Sequence, residues 1–554
     1  MKKLLYLLLL PLLGLPLLTM ASGNPSPQVK LDPARKLAFA EQMIANYYVD
    51  IIDTTRVVEE AIKGMLKTLD PHSVYTNAEE TRELNEPLEG NFSGIGVRFQ
   101  MTQDTLYIIE VIKGGPSEKV GILPGDRIIS CNDSLISGID RSQKNILSLL
   151  RGPKGSVANL KIKRNHSPKL LNFKVVRDDI PINSLDATYM ANDSVGFISI
   201  TRFGATTTEE VRQAIDKLRK KGMKHLVIDL SDNGGGYLRS ATDIANIFLK
   251  NGSMLVYTES TKTGRSDFRA DRDGIFQDGR VVVMINQNSA SASEILAGAL
   301  QDNDRAVVVG RRSFGKGLVQ RPFIMPDGSM IRLTVSRYYT PAGRCIQKPY
   351  TSGDDDDYKH DMLHRLESGE LSSADSIHFP DSLRYSTLKL RRPVYGGGGI
   401  MPDHFVPIDT ANISDYYRDL VAKGILQTYC VGYIDVNREA LNKQYKNSKA
   451  FIKGFKVTPA MLDELKAAAE ADSLAYNAEQ FERSKPLIEL NIKGLIGRDL
   501  FDQSTYYEIV NPLNPVYRTA VELVSDPKHY RYHLSAPDEG LKPRNSWLNP
   551  AESH

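Results

Sequence analysis

Hydrophobic and polar positions recur with a different period in each part of this chain. Lys2 and Lys3 precede an apolar run over residues 4–18, which holds Pro11, Gly14 and Pro16 and ends in small residues at Thr19, Ala21, Ser22 and Gly23. A charged start, an apolar middle and a small-residue exit predict a secretory signal over 1–21, cleaved near Ala21. The run is shorter than the ~20 residues of a membrane span, and its prolines weaken it as a helix. Residues 24–31 form a polar linker. Behind the pair Asp32-Pro33, suited to an N-cap and first turn, apolar residues recur at helical spacing, as in Val57, Ala61, Met65 and Leu66. This predicts a helical N-terminal region over 32–88.

From about Gly90 the pattern turns to strands. Apolar runs at 106–111, 127–130 and 157–163, turns at 121–126 and 152–155, and a helical stretch at 146–150 predict a small β module with a helix or two over 89–178. Beyond Ser194, strand-like runs at 195–200, 226–230, 281–285 and 306–309 alternate with helical ones at 208–220, 240–249 and 292–300. That rhythm implies a partly parallel sheet, in a domain built from 182–350 and 386–408. Residues 351–385 are polar and read as a solvated insertion. Their run Asp354-Asp355-Asp356-Asp357 lacks the alternating ligands and glycine of a calcium loop. Helical patterns return at 412–426 and 458–475, so 409–554 is predicted mostly helical. The fold class is therefore α/β and multidomain.

Composition narrows the functional classes. At roughly 150 residues per domain, the 554 residues make three or four domains, and 41% hydrophobic residues suffice for several cores. Lys+Arg of 70 against Asp+Glu of 67 gives +3, which argues against a charge-driven nucleic-acid partner. Cys131, Cys345 and Cys430 are too scattered for a disulfide framework or a zinc site. No cysteine stands near residue 21 to take a lipid.

The strongest signal for chemistry follows the strand ending at Ile285. A polar loop, Asn286-Gln287-Asn288, leads into Ser289-Ala290-Ser291-Ala292-Ser293-Glu294 and a helix. A serine at such a turn exposes its oxygen beside helix N–H groups that can hold an oxyanion. Serines there also serve simply as helix caps, and the local pattern fits both. A nucleophilic serine needs a base. Of the ten histidines none lies near a comparable turn, His72 after Asp70-Pro71 being the best alternative. A lysine can serve if desolvation makes it neutral. Lys316, between Gly315 and Gly317, follows the strand ending at Val309, and Gln320 is placed to orient its amine.

Two other readings touch the same stretch. The segment from Gly310 to Lys316 nearly matches a phosphate-binding loop, but Gly317 stands where a Ser or Thr should reach Mg²⁺, and strands follow rather than a helix. Ser313-x-x-Lys316 matches the spacing of penicillin-recognising enzymes, which needs a helical turn that Gly315 and Gly317 disfavour. Asp229-Leu-Ser-Asp-Asn-Gly-Gly-Gly236 ends a strand in three glycines whose N–H groups can donate to an oxyanion or merely connect elements. Gly94-Ile95-Gly96-Val97 opens a strand and can present N–H groups to a peptide's terminal carboxylate, with a strand edge beside it.

Together these pieces resemble the C-terminal (tail-specific) processing peptidases, serine proteases of family S41 with a Ser/Lys dyad and an internal PDZ domain. The similarity runs from Leu69-Asp-Pro-His-Ser73 through Gly90-Asn-Phe-Ser-Gly-Ile-Gly-Val97 to Gln320. It continues through Tyr338-Tyr-Thr-Pro-Ala-Gly-Arg344 and Gly396-Gly-Gly-Gly-Ile-Met-Pro-Asp403. The resemblance implies Ser291 as nucleophile, Lys316 as base and Gln320 as the residue orienting it. It places backbone oxyanion donors at Gly235, Gly236 and Ala292, and the carboxylate loop of the PDZ domain at Gly94, Ile95, Gly96 and Val97. The glycine turn departs from the family's usual Asp-Leu-Arg-x-Asn-Pro-Gly-Gly: Ser231 replaces the arginine and Gly234 the proline.

The resemblance further implies an endopeptidase that takes protein or peptide substrates by accessible C-terminal tails. It implies no metal, no cofactor and no nucleic acid, and residence in the periplasm or envelope of a Gram-negative bacterium. Peripheral membrane association and a homo-oligomer stay open. The rival from another class is a catalytically silent adaptor that binds peptides through its PDZ domain alone.

Overall fold

The computed structural model describes residues 32–535 apart from 103, 140, 141, 165, 166 and 355; the predicted signal over 1–21 lies outside them. A first unit ends at Met65. Its helix α1 (Pro33–Tyr47) is started as expected, with the Asp32 carboxylate accepting from the Arg35 N–H and Pro33 in the first turn. Helix α2 (Thr54–Lys67) follows.

The second unit opens with strand β1 (Val74–Thr76) and helix α3 (Ala78–Glu89). A reciprocal cap between Asn77 and Glu80 starts α3, and Gly90 ends it at φ 82°, a left-handed conformation that favours glycine. The predicted β module comprises β2 (Asn91–Gly94), β3 (Val97–Thr102), β4 (Thr105–Val111), α4 (Pro116–Lys119), β5 (Arg127–Cys131), β6 (Ser134–Leu135), α5 (Gln143–Leu150), β7 (Val157–Lys163), β8 (Leu171–Val176) and β9 (Asp178–Pro181). Its sheet runs β3-β4-β5-β7-β8, with β6 on β5, while β2 and β9 pair antiparallel beside it. Strand alternation sets the core: Ala158, Leu160 and Ile162 of β7 point inward to meet Ile108, Ile128 and Ile146.

The domain that follows carries β10 (Leu185–Met190), β11 (Val195–Ile200), α6 (Thr207–Arg219), β12 (His225–Asp229), α7 (Leu238–Asn246), β13 (Met254–Ser260), β14 (Gly264–Arg269), β15 (Val281–Ile285), α8 (Ala292–Asp302), β16 (Val307–Gly310), β17 (Leu318–Ile324) and β18 (Met330–Tyr339). After the insertion helix α9 (Asp356–Glu367) come β19 (Arg384–Ser386), β20 (Pro393–Tyr395) and β21 (His404–Phe405). The central sheet has the order β10-β11-β12-β15-β16-β21, antiparallel only between β10 and β11. An antiparallel sheet of β1, β18, β13 and β14, with β17 on β18, stands beside it. The parallel strands are legible as unbroken apolar runs because helices bury both of their faces. Ile228, Val283 and Val308 face α6, α7 and α8. Val227, Val282 and Val309 face the other way.

That second face is covered from far along the chain. The C-terminal region contains α10 (Asp415–Ala422), α11 (Ile425–Gln444), α12 (Ser448–Gly454), α13 (Pro459–Ala471), α14 (Ala478–Leu500), α15 (Gln503–Val510), α16 (Pro515–Ser525) and α17 (Pro527–His533). Helices α10 to α15 build a core of their own around Leu420, Phe451, Phe481 and Ile492. Helices α16 and α17 instead lay Val516, Ala520, Val524 and Tyr530 on the sheet.

Most of the polar insertion is exposed, with a few buried anchors. Tyr358 and Arg365 of α9 are buried, and Glu370 accepts from both Arg365 (2.7 Å) and Arg312 (2.6 Å). Arg365 and Glu370 are thus paired inside, which composition alone does not reveal, while Asp354, Asp356, Asp357, Lys359, His360 and Glu367 are exposed. Asp356 and Asp357 occupy the first turn of α9, where the helix dipole favours negative charge. Among the described residues, no cluster of His, Cys, Asp and Glu is arranged to hold a metal ion, and no helix is long and apolar enough to cross a membrane.

Candidate active site

The turn between β15 and α8 explains which of its three serines faces outward. Ser289 and Ser293 are fully buried and hydrogen-bond across to the glycine turn: Ser289 Oγ donates to the Leu230 carbonyl (2.7 Å) and Ser293 Oγ to the Asn233 carbonyl (2.8 Å). Ser291 alone lines a cleft, of 450 Å³, where it meets Lys316, Gln320 and the glycine turn. Its backbone sits at φ 55°, ψ −112°, a conformation that costs a non-glycine residue free energy and persists only where the surroundings impose it.

Those surroundings centre on Glu294, in the first turn of α8. Its buried carboxylate accepts from the N–H of Ser291 (2.8 Å), Gly315 (2.7 Å) and Lys316 (2.9 Å) and from Ser313 Oγ (2.6 Å). One side chain thus fixes the serine turn against the lysine segment. Burial pushes its carboxyl up to about 7, opposed by these hydrogen bonds. Tyr338 adds a second tie by donating its hydroxyl to the carbonyls of Ser291 and Lys316. Neither residue was assigned a role from sequence, although Ser291-x-x-Glu294 has the spacing of a helix-capping pair. Ser313 is buried with its hydroxyl committed to Glu294, and residues 311–317 form no helix, so the Ser-x-x-Lys spacing carries no chemistry of its own.

Lys316 Nζ donates to Gln320 Oε1 at 3.0 Å. Burial, and then the nearby charge of Arg332, lower its pKa from 10.5 to about 8, against the opposing pull of Glu294 and Asp70. Gln320 is held in turn: its amide donates to the backbone carbonyl of His72. The segment around His72, which the sequence offers as an alternative base and as part of the resemblance, thus holds the lysine's partner through a backbone carbonyl. Asp70 accepts from the N–H groups of His72 and Ser73 (both 2.9 Å) and from Thr334 Oγ1 (3.0 Å), locking this turn onto β18. The His72 ring is hydrogen-bonded to the Tyr358 hydroxyl at 2.7 Å. Burial and then Lys316 lower its pKa to about 4. It is a neutral spacer against the insertion helix rather than a partner of Ser291.

The glycine turn requires a correction in detail. The Gly235 N–H, expected to donate to an oxyanion, donates to Asn233 Oδ1 at 2.8 Å. Gly235 matters for what it lacks: a Cβ there would lie 2.8 Å from Ser291 Cβ and 3.0 Å from the Ala292 nitrogen. Ala292 is the first residue of α8, so its N–H has no partner within the helix, and the Gly236 N–H forms no hydrogen bond within the described chain. The turn that departs from the usual pattern at Ser231 and Gly234 is braced by Asp232, at φ 59°. Its carboxylate accepts from Asn286 Nδ2 (2.9 Å) and Asn288 Nδ2 (2.7 Å) of the serine loop.

Gly94, Ile95, Gly96 and Val97 lie elsewhere, at a narrow groove between β3 and α5 lined also by Phe92, Phe99, Leu147 and Leu150. Gly96 takes φ 75°, and a Cβ there would strike Ile180 Cδ1 at 2.9 Å. Arg151, after α5, pairs with Glu86 of α3 at 2.5 Å. The module's other side meets the helical region through Arg127 and Asp435 (2.6 Å).

Comparison with known proteins follows the same division. Residues 194–358 match peptidase family S41, residues 93–175 a PDZ domain, residues 19–81 the N-terminal domain of the activating protease CtpB, and residues 416–502 a family of unknown function. The carboxy-terminal processing protease CtpB of Bacillus subtilis is 37% identical over 327 residues, 56% of this chain and 65% of that protein. A probable CtpA-like serine protease of Staphylococcus epidermidis is 35% identical over 315 residues, 56% of this chain and 63% of that protein. The chain thus spans a little under two thirds of the length of these relatives. The solved photosystem II D1 C-terminal processing protease is 28% identical, covering 56% of this chain and 83% of that one, with a TM-score of 0.33. The carboxy-terminal-processing protease of Bartonella bacilliformis is 34% identical over 310 residues, and the match takes in 70% of its length. On that relationship the chain belongs to the carboxy-terminal-processing proteases, peptidase family S41 with a PDZ domain.

Proposed function

We propose that this protein is an exported serine endopeptidase that takes substrates by their C-terminal tails and cuts them with Ser291 and Lys316. The observation that carries this reading is one cleft holding a strained, outward-facing serine and a partly buried lysine whose amine is lowered to about 8 and held by Gln320. Relatives named as carboxy-terminal processing proteases support it. Export rests on the charged and apolar pattern of residues 1–21.

In the reaction, neutral Lys316 takes the proton of Ser291 Oγ, which forms a bond to the scissile carbonyl carbon. The N–H groups of Ala292 and Gly236 face the oxygen that becomes negative. As the C–N bond breaks, Lys316 gives its proton to the leaving amine. Water, deprotonated by Lys316, then bonds to the acyl carbon, and as the bond to Ser291 Oγ breaks Lys316 returns the proton to that oxygen. The groove at Gly94–Val97 holds the tail, adding it as a strand beside β3.

The test is cleavage of an unfolded protein with an apolar C-terminal tail by the purified protein and by Ser291→Ala. The parent should cut and Ser291→Ala should not. A protein that binds the tail and cuts at no pH would sink the enzymatic reading. The pH dependence gives a sharper check. Since only the neutral amine acts as base, kcat/KM should rise with pH and level off above about 8. A profile flat from pH 6 to 9 would remove Lys316 as the base.

A further inference from the structure

Three buried arginines beside the insertion and the central sheet each hold a carboxylate, while Arg305 donates to the carbonyls of Phe248 and Phe276. Arg344 pairs with Asp302 at 2.6 Å, Arg365 with Glu370 at 2.7 Å, and Arg392 with Asp304 at 2.8 Å and Asp403 at 2.5 Å. Arg332, partly buried, has neither a carboxylate nor a carbonyl as partner among the described residues. It lies on β18, in register with Pro322 of β17 and two residues from Thr334, which is opposite Gln320. Side chains two apart in a strand share a face, and Arg332 and Gln320 both line the cleft with Lys316. The Arg332 guanidinium is partly buried, yet it forms no hydrogen bond or ion pair among the described residues. Across the cleft, Arg202 is also without an ion-pair partner among them; its charge is felt by Asp186.

The rest of the lining sharpens the anomaly. No Asp or Glu lines the cleft, whose other walls present Leu84, Leu88, Leu238, Ile295 and Leu318. A partly desolvated guanidinium beside Lys316 is an unfavourable arrangement that no hydrogen bond or ion pair to the guanidinium offsets among the described residues. It fits a cleft completed by a negative group from outside, since a guanidinium's planar fork suits a carboxylate.

We propose that Arg332 is the carboxylate-binding residue of the substrate cleft, so that the enzyme favours apolar peptide segments bearing a carboxylate within a few residues of the bond to be cut. That carboxylate comes from an Asp or Glu side chain or from a free C-terminus. The inference rests on the proteolytic reading of the same cleft. It is separate from the groove at Gly94–Val97, which shares no lining residue with the cleft.

The test uses full-length Ser291→Ala protein, in which turnover is blocked, and fluorescent apolar peptides that differ in one group. One set carries Glu or Gln at successive positions with an amidated end; the other carries a free or an amidated C-terminus. Binding is read by anisotropy. The acid peptide is expected to bind about 10-fold tighter than its amide counterpart, the gain of one charge-assisted, bidentate contact. Adding Arg332→Gln should erase the difference, and Arg332→Lys should keep part of it while preserving the charge. A preference confined to one Glu position identifies a side chain as the source; one confined to the free end identifies the terminus. Equal binding of acid and amide peptides overturns the proposal, as does a preference that survives Arg332→Gln, which would place it in the PDZ groove. Parallel kcat/KM measurements on the Ser291 protein separate the two readings. Acid-selective binding without any cleavage sinks the protease assignment alone. Cleavage of neutral and acidic peptides at equal rates sinks the carboxylate subsite alone.

Discussion

A Lys316→Met protein is expected to lose about four orders of magnitude in kcat/KM and yet to unfold at a higher temperature than the parent. The loss follows from removing the proposed base. The gain follows from what the site does to that base. Burial and the charge of Arg332 bring the amine from 10.5 to about 8, so at pH 7 the folded chain holds an ammonium in a place that disfavours it. For a fully enclosed amine this corresponds to roughly 3 kcal/mol, and to about 2 kcal/mol once the part facing solvent is discounted. Between pH 8 and 10.5 the unfolded chain binds the extra proton, so the parent gains stability as pH rises through that window. The advantage of Lys316→Met should therefore be full below pH 8 and vanish above 10.5. Methionine fills a similar volume without a charge. Thermal melts at pH 7 and pH 10.5 measure both ends; a variant no more stable than the parent at pH 7 would show that the site does not strain its lysine.

Glu294→Ala should act in the opposite sense on stability. Four donors converge on this carboxylate, the N–H groups of Ser291, Gly315 and Lys316 and the Ser313 hydroxyl. Each orphaned buried donor costs about 1–3 kcal/mol, and removing one partner of a buried charged network costs about 3–5 kcal/mol. We expect a loss of about 4 kcal/mol in urea unfolding, with kcat/KM reduced about 100-fold or more because the serine turn and the lysine segment lose their common anchor. Glu294→Gln keeps one acceptor oxygen but turns an amide N–H₂ toward backbone donors, and should fall between parent and alanine. If Glu294→Ala matched the parent in stability, the carboxylate would be an ornament of the turn rather than its anchor.

These two residues show what could be read before folding. Lys316 was legible because glycines flank it and a glutamine follows at an orienting distance, and the parallel strands because burial on both faces leaves runs such as Val281–Ile285 wholly apolar. Ser291 was legible as a candidate, but its choice over Ser289 and Ser293 depends on carbonyls of Leu230 and Asn233, some sixty residues away in sequence. Glu294 shows locally only its capping spacing to Ser291; its hold on Gly315 and Lys316, and that of the His72 carbonyl on Gln320, join segments that no local pattern announces. The same holds for Asp232, which braces a turn whose sequence departs from its relatives. The insertion's polar residues are mostly exposed, as their composition suggests, but its internal anchor is not legible, because Arg312, Arg365 and Glu370 come together from separate segments.

Helices α16 and α17 have a consequence for how the molecule comes into being. A polypeptide is synthesised and exported from its N-terminus, and its domains tend to fold in that order. Here the strands that carry Asp229 and lead to Ser291 are finished long before Pro515 to His533 arrive to cover their second face. Until then Val227, Val282 and Val309 have no lid, and a sheet bare on one side is a poor support for a strained serine. The support of the proposed nucleophile thus depends on a segment far along the chain, and a protein lacking Pro515 to His533 should leave Val227, Val282 and Val309 uncovered.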